Sequence, residues 1–208
     1  MNDNYYHPHN VAIGNNYTPL SDMQKVNAQF ISEYLQSKGW TIAAAAGLMG
    51  NFLSESWLNP DVFEDRSNYN IRDLIKKGYG LAQWTPWYGL SGSTEQQRRN
   101  YHGTNNPTFY QWCIDNNKSE TYWMIETQLD YIDAGLGASG SKTFIPQLKT
   151  ASDPQQAAKD FYTNYEKSQA GTWGNRPVYA QWIYDYLGGL PPTPAGIPVW
   201  LLFKFKRR

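Results

Sequence analysis

"TIAAAAGLMGNFLSESWLNP", Thr41 to Pro60, decides how the rest of the chain is read. Thr41 is placed to cap a helix, the alanines favour it, and Ile42, Ala45, Ala46, Met49, Phe52 and Leu53 recur at a period of 3.6. Gly47 and Gly50 interrupt that helix at about 1 kcal/mol each relative to alanine, which marks them as points where another backbone comes close. Deep packing of this helix is expected. Its last turn carries one carboxylate, Glu55, between Ser54 and Ser56 and directly ahead of Trp57. Asn59-Pro60 then biases the chain away from helix.

A carboxylate in that position is badly placed to ionise. The negative end of the helix dipole and desolvation by Phe52 and Trp57 are both expected to raise its pKa. A glutamic acid that keeps its proton near neutral pH can deliver it to a leaving oxygen, the task of the general acid in glycoside cleavage. Position alone favours a surface glutamate fraying off a helix end, so the surrounding residues must decide.

Upstream, "SDMQKVNAQFISEYLQSKGW" predicts an amphipathic helix capped by Ser21, with Met23, Val26, Phe30, Ile31, Tyr34 and Leu35 on its apolar side and Gly39 as its stop. Downstream, "GYGLAQWTP" suits a short strand or an extended turn. Helices are predicted over roughly 93–101, 107–116, 119–134, 154–167 and 176–187, the last two opened by Asp153-Pro154 and Arg176-Pro177. The Gly-rich stretch from Gly135 to Lys142 reads as a loop. No period of 20–50 residues repeats. The fold class is mainly α with at most a small β element. Residues 1–20 read as a leader, 21–187 as the folded domain, 188–198 ("GGLPPTPAGIP") as a linker, and 199–208 as an apolar-basic tail.

Aromatic residues make up 16% of the chain, with 9 Trp and 16 Tyr, enough both to bulk up a core and to line a cleft that stacks on sugar faces. The 18 basic and 18 acidic side chains cancel, but four of the basic ones fall in Lys204 to Arg208; the remaining 14 against 18 leave −4 over residues 1–203. Such a body has no electrostatic footprint for nucleic acid. The tail is a candidate for membrane-surface or protein contact. A single Cys113 excludes an intramolecular disulfide framework and a cysteine zinc cluster, and His7 and His9 in a polar, Asn-rich leader are not expected to bind metal. The N-terminus lacks the basic start and apolar stretch of a secretory signal.

Three motifs, in order, decide for Glu55. "GLMGNFLSESWLNP" is followed by "GYGLAQWT", then by "FYTNYEK" and "NRPVYA". With these the chain resembles the phage tail lysozyme domain, a branch of the lysozyme-like superfamily that includes goose-type lysozymes and soluble lytic transglycosylases. The likeness spans about Met23 to Leu187. It implies a lysozyme-like fold with a small β element beside the substrate cleft, and Glu55 as the catalytic acid. It also implies that Tyr79, Gln83 and Trp84 form the cleft floor, and that Tyr165 and Glu166 form the opposite wall. Gln83 can donate and accept at once, which suits a sugar hydroxyl or N-acetyl group, though it could also tie down a loop. Gly78 and Gly80 would let a polymer lie against bare backbone. Glu166 could instead pair with Arg176 as a structural link.

A second carboxylate is less defined: Glu64, Asp65 and Asp61 follow the helix, and none is at a spacing that fixes it. The expected activity is cleavage of the β-1,4 bond between N-acetylmuramic acid and N-acetylglucosamine in peptidoglycan. The resemblance implies a phage that opens the host wall from its tail tip, with other tail proteins as partners and no cofactor or metal. Alternatives are a lytic transglycosylase, a catalytically silent glycan-binding or structural tail component, or one module of a longer lysin. The end at Arg208 is expected to be that of a complete or processed chain.

Overall fold

A computed structural model describes residues 20–64, 78–84, 108–138, 140–166 and 171–188. The predicted helix at 93–101, the leader, the linker and the tail lie outside the described residues. Among those described, seven helices follow one another: α1 (Asp22–Ser37), α2 (Ile42–Ser56), α3 (Phe109–Asp115), α4 (Ile125–Asp133), α5 (Ser141–Leu148), α6 (Pro154–Asn164) and α7 (Arg176–Gly188). The protein is mainly helical, as the sequence predicts.

α1 starts where Ser21 and Gln24 cap each other's backbone, the side chain of each accepting from the N–H of the other. Its buried face is turned from the predicted stripe: Asn27, Ala28, Ile31, Ser32 and Leu35 are covered, while Met23, Val26, Phe30 and Tyr34 are only partly so. Asn27 is the reason a polar residue can sit there, since its Nδ2 donates to the Leu58 carbonyl at 2.9 Å.

α2 is the hub. Thr41 caps it through the Ala44 N–H, as predicted, but the apolar stripe is an understatement, because every residue from Ala43 to Leu53 is buried. A helix covered on all sides needs neighbours on all sides. α6 and α7 pack most extensively against it, and α1 adds to the cover. The two glycines make this possible: a Cβ at Gly47 would lie 2.4 Å from Ala157 Cβ of α6, and one at Gly50 would lie 2.5 Å from the Arg176 carbonyl of α7. Both are the close approaches that the sequence predicts.

Three boundaries differ from the prediction. α4 begins at Ile125 rather than near 119. α5 starts inside the expected Gly-rich loop, capped by Gly140, and Pro146 within it hides its helical signal. α6 ends at Asn164, so Tyr165 and Glu166 leave the helix. The β element is reduced to two isolated bridges, Phe63 with Tyr79 and Tyr79 with Trp84. Gly80 (φ 79°) and Gln83 (φ 49°) curl 79–84 into a closed turn, with Gln83 N–H donating to the Gly80 carbonyl at 3.2 Å, so no extended strand forms.

Gly50→Ala should lower stability by about 1–3 kcal/mol, since the methyl meets backbone that cannot rotate away. Urea unfolding checks this, with a lower midpoint and an unchanged m-value expected.

Candidate active site

Glu55 sits one residue before the end of α2, where the chain turns sharply. Trp57 and Leu58 both adopt left-handed backbone (φ 56° and 63°), a conformation costly for side chains of this size. It is held in place by burial and hydrogen bonds: Leu58 is fully covered, its carbonyl takes Asn27 Nδ2, and Asn59 N–H returns to the Ser56 carbonyl at 3.0 Å. Ser56, buried, lies 3.0 Å from the carbonyls of both Phe52 and Leu81, so its hydroxyl fastens the end of α2 to the 79–84 turn.

Glu55 faces the start of α7. Arg176 Nη2 donates to Glu55 Oε1, and Arg176 Nε lies 3.8 Å from Glu166 Oε2. The side chains are 26% (Glu55), 16% (Arg176) and 13% (Glu166) exposed, so Glu55 is the member of the cluster most open to water. Arg176 is further held by the Trp173 carbonyl, 3.3 Å from its Nη1, and by the Tyr162 ring, whose centroid is 4.3 Å from the guanidinium carbon. Glu166 carries the raised pKa here, about 8 against an ordinary 4.5. Burial is the main cause, the charge of Glu55 adds to it, and Arg176 opposes it. The pairing of Glu166 with Arg176 weighed from the sequence is thus present, and the guanidinium serves Glu55 as well.

The other predicted residues are placed differently from one another. Tyr79 is fully buried and donates to Asp61 Oδ1 at 2.8 Å. Trp84 is 8% exposed, stacks on Phe109, and donates from Nε1 to the Tyr165 hydroxyl at 3.0 Å. The Tyr165 hydroxyl in turn donates to the Leu136 carbonyl at 2.7 Å, and its ring stacks on Phe161. These three rings belong to the core, with their polar handles committed inward, so they offer no open face to a sugar. Gln83 is partly exposed; its Nε2 donates to the carbonyls of Val62 (3.2 Å) and Gly80 (2.9 Å), tying down the turn, while its Oε1 is buried without a hydrogen-bond partner. Gly78 lies against Gln83: a Cβ there would come within 2.9 Å of the Gln83 carbonyl and of Oε1. Glu64 is exposed and accepts from the Gly78 N–H at 2.9 Å. Asp65 lies outside the described residues.

One buried residue escaped the sequence reading altogether. Gln128 of α4 accepts from Leu81 N–H at 2.8 Å and donates to the carbonyls of Pro60 (2.6 Å) and Tyr122 (3.1 Å). It joins both segments beside Glu55, and Gly80 is bare because a Cβ would sit 2.6 Å from Gln128 Oε1. A glutamine on an apolar helix face was the available signal. Among the described residues no group of three or more His, Cys, Asp or Glu could hold a metal ion, and no helix is long and apolar enough to cross a membrane.

A family model described as phage tail lysozyme matches residues 26–187. The chain belongs to the phage tail lysozyme family. Membership gives a lysozyme-like lytic enzyme as its general class. Morphogenesis protein 1 of Bacillus phage B103 is 27% identical over 180 residues, which cover 86% of this chain and 44% of the relative. The chain therefore spans less than half the length of that phage protein. Within this phage lysozyme domain, the match runs from the middle of the first turns of α1 to the end of α7 and takes in Glu55, Gln128, Glu166 and Arg176.

Gln128→Leu should cost about 2–4 kcal/mol, because it strands the Leu81 N–H and the Pro60 carbonyl in a dry interior. Hydrogen exchange should show the amides of 79–84 losing protection before those of α2 do.

Proposed function

We propose that this domain cleaves the β-1,4 bond between N-acetylmuramic acid and N-acetylglucosamine in bacterial peptidoglycan, with Glu55 protonating the glycosidic oxygen. One observation carries the reading: in a chain of the phage tail lysozyme family, the buried hub helix ends in a water-accessible carboxylate, braced by Arg176 and by the 79–84 turn. A rigid frame around one partly exposed acid is what proton delivery to a fixed bond requires.

In the first step Glu55 gives its proton to the leaving oxygen as the bond to the anomeric carbon breaks and positive charge develops on the sugar ring. In the second, the Glu55 carboxylate accepts a proton from the incoming nucleophile. Water as nucleophile gives hydrolysis; the sugar's own 6-hydroxyl gives an anhydro product. The engagement of the loop acids Asp61 and Glu64 supports Glu55 serving alone as acid and then base. Asp61 accepts from the Tyr79 hydroxyl and Glu64 from the Gly78 N–H, so both brace the turn. Gln83, partly exposed on that turn, is the part of the predicted floor left to meet a sugar, while Gly78 is buried against it; Tyr79, Trp84 and Tyr165 support it from beneath. The domain acts from the phage particle, at its tail tip, on the wall of the host, alongside other tail proteins.

Glu55→Gln keeps the shape and hydrogen-bonding reach of the side chain but removes the proton donor. Release of muropeptides from purified peptidoglycan should fall by about 10²–10⁴-fold with little change in melting temperature. Equal release by both proteins would remove Glu55 from the mechanism. Mass spectrometry of the products separates reducing ends from anhydro-sugars.

A further inference from the structure

A carboxyl that must hand over a proton gains nothing from a fixed cation at its side, because the cation favours the ionised form. Glu55 nevertheless touches Arg176, and the same guanidinium has a second carboxylate nearby. Arg176 Nε is 3.8 Å from Glu166 Oε2, beyond hydrogen-bond range, and has no hydrogen-bond partner of its own. Glu166 Oε1 is also buried without one. Both vacant groups lie on the Glu166 side of the guanidinium, and Arg176 is anchored on a ring face and one carbonyl, contacts that tolerate a small rotation.

We propose that Glu55, Arg176 and Glu166 form one unit that holds a single exchangeable proton, with Arg176 pairing to whichever carboxylate is ionised. Glu166 is then a positioning residue: by drawing the guanidinium away, it lets Glu55 carry the proton that Glu55 donates. The inference rests on the reading of Glu55 as general acid. In the resting arrangement the proton is on Glu166 and Arg176 is on Glu55. In the armed arrangement Glu166 has released its proton to water, Arg176 has turned onto Glu166, and Glu55 has taken a proton from water. Each arrangement contains one guanidinium, one carboxylate and one carboxylic acid, so the net charge of the unit is zero in both. Ionising both acids or protonating both would leave an unbalanced charge in a poorly solvated place.

Among the described residues, the charged groups that face Glu166 are Glu55 from α2 and Arg176 from α7. Its neighbour Tyr165 is committed to the Leu136 carbonyl and does not compete for the proton. The upward shift of Glu166, with Glu55 among its causes, fits a proton shared between the two acids as seen from the resting side.

The test is the pH dependence of kcat and KM for wild type, Glu166→Gln, Glu166→Asp and Glu55→Gln on soluble, uncrosslinked peptidoglycan strands. Glu166→Gln leaves Glu55 as the sole acid facing the guanidinium. Its kcat near neutral pH should fall at least about tenfold while KM changes less than about twofold. Its alkaline limb should move to lower pH by about one unit or more. Glu166→Asp, which keeps a carboxylate, should bring the limb back toward wild type. A folding defect scales the amplitude at every pH and leaves the limb in place, so lost amplitude with an unmoved limb overturns the proposal. A rise in KM with an unmoved limb makes Glu166 a substrate contact and also overturns it. Either result, with Glu55→Gln inactive, leaves the proposed function standing; activity in Glu55→Gln sinks that function itself.

Discussion

The absence of a side chain at Gly50 is the constraint on which the site depends. The space a Cβ would fill is taken by the Arg176 carbonyl and by Ala180, so α7 lies directly on the backbone of α2. That contact fixes the first residue of α7 less than two turns from the end of α2, which brings the Arg176 side chain to Glu55. Gly47 does the same for α6 through Ala157 and Ala158, and the chain leaving α6 carries Glu166 to the other side of the same guanidinium. Charged groups from three separate segments therefore meet because two positions on one helix are bare.

The second constraint is the turn after α2. Left-handed Trp57 and Leu58 send the chain back so that Asn59 and Pro60 face the 79–84 turn, and Ser56 and Gln128 bind the two together. Backbone strain of about 1–3 kcal/mol per residue persists only where the surroundings over-determine it. Here they do, since Leu58 is fully buried and its carbonyl is taken by Asn27 of α1. The result is a carboxylate whose own helix, following turn and facing helix are all fixed, as proton transfer to a bound sugar would demand.

Much of this was legible in the sequence, and the rest was hidden for physical reasons. The α2 helix, its cap, its two close approaches and the placing of Glu55 in its last turn follow from local propensity and from the cost of glycine in a helix. The aromatic residues were harder. Tyr79, Trp84 and Tyr165 each combine a flat face with a polar handle, and sequence does not say which way the handle points; here all three point inward, to Asp61, to one another and to the Leu136 carbonyl. The expected strand failed because Gly80 and Gln83 curl the chain. The charge on the site was hidden most deeply: helix dipole and desolvation are local effects, whereas Arg176 lies 121 residues from Glu55, and the raised carboxyl of Glu166 reaches the site on the chain that leaves α6.

If the site's proton is shared by two acids around Arg176, as proposed, the two carboxyls must titrate together. Carboxyl-carbon NMR titration of the intact domain, with Glu55 and Glu166 assigned, reads it most directly. Glu166 is expected to titrate near 8, far above a free glutamate, with the same step felt at the Glu55 carboxyl and at the Arg176 side-chain nitrogens. Glu166 titrating like a free glutamate, with no common step at Glu55 or Arg176, would contradict it.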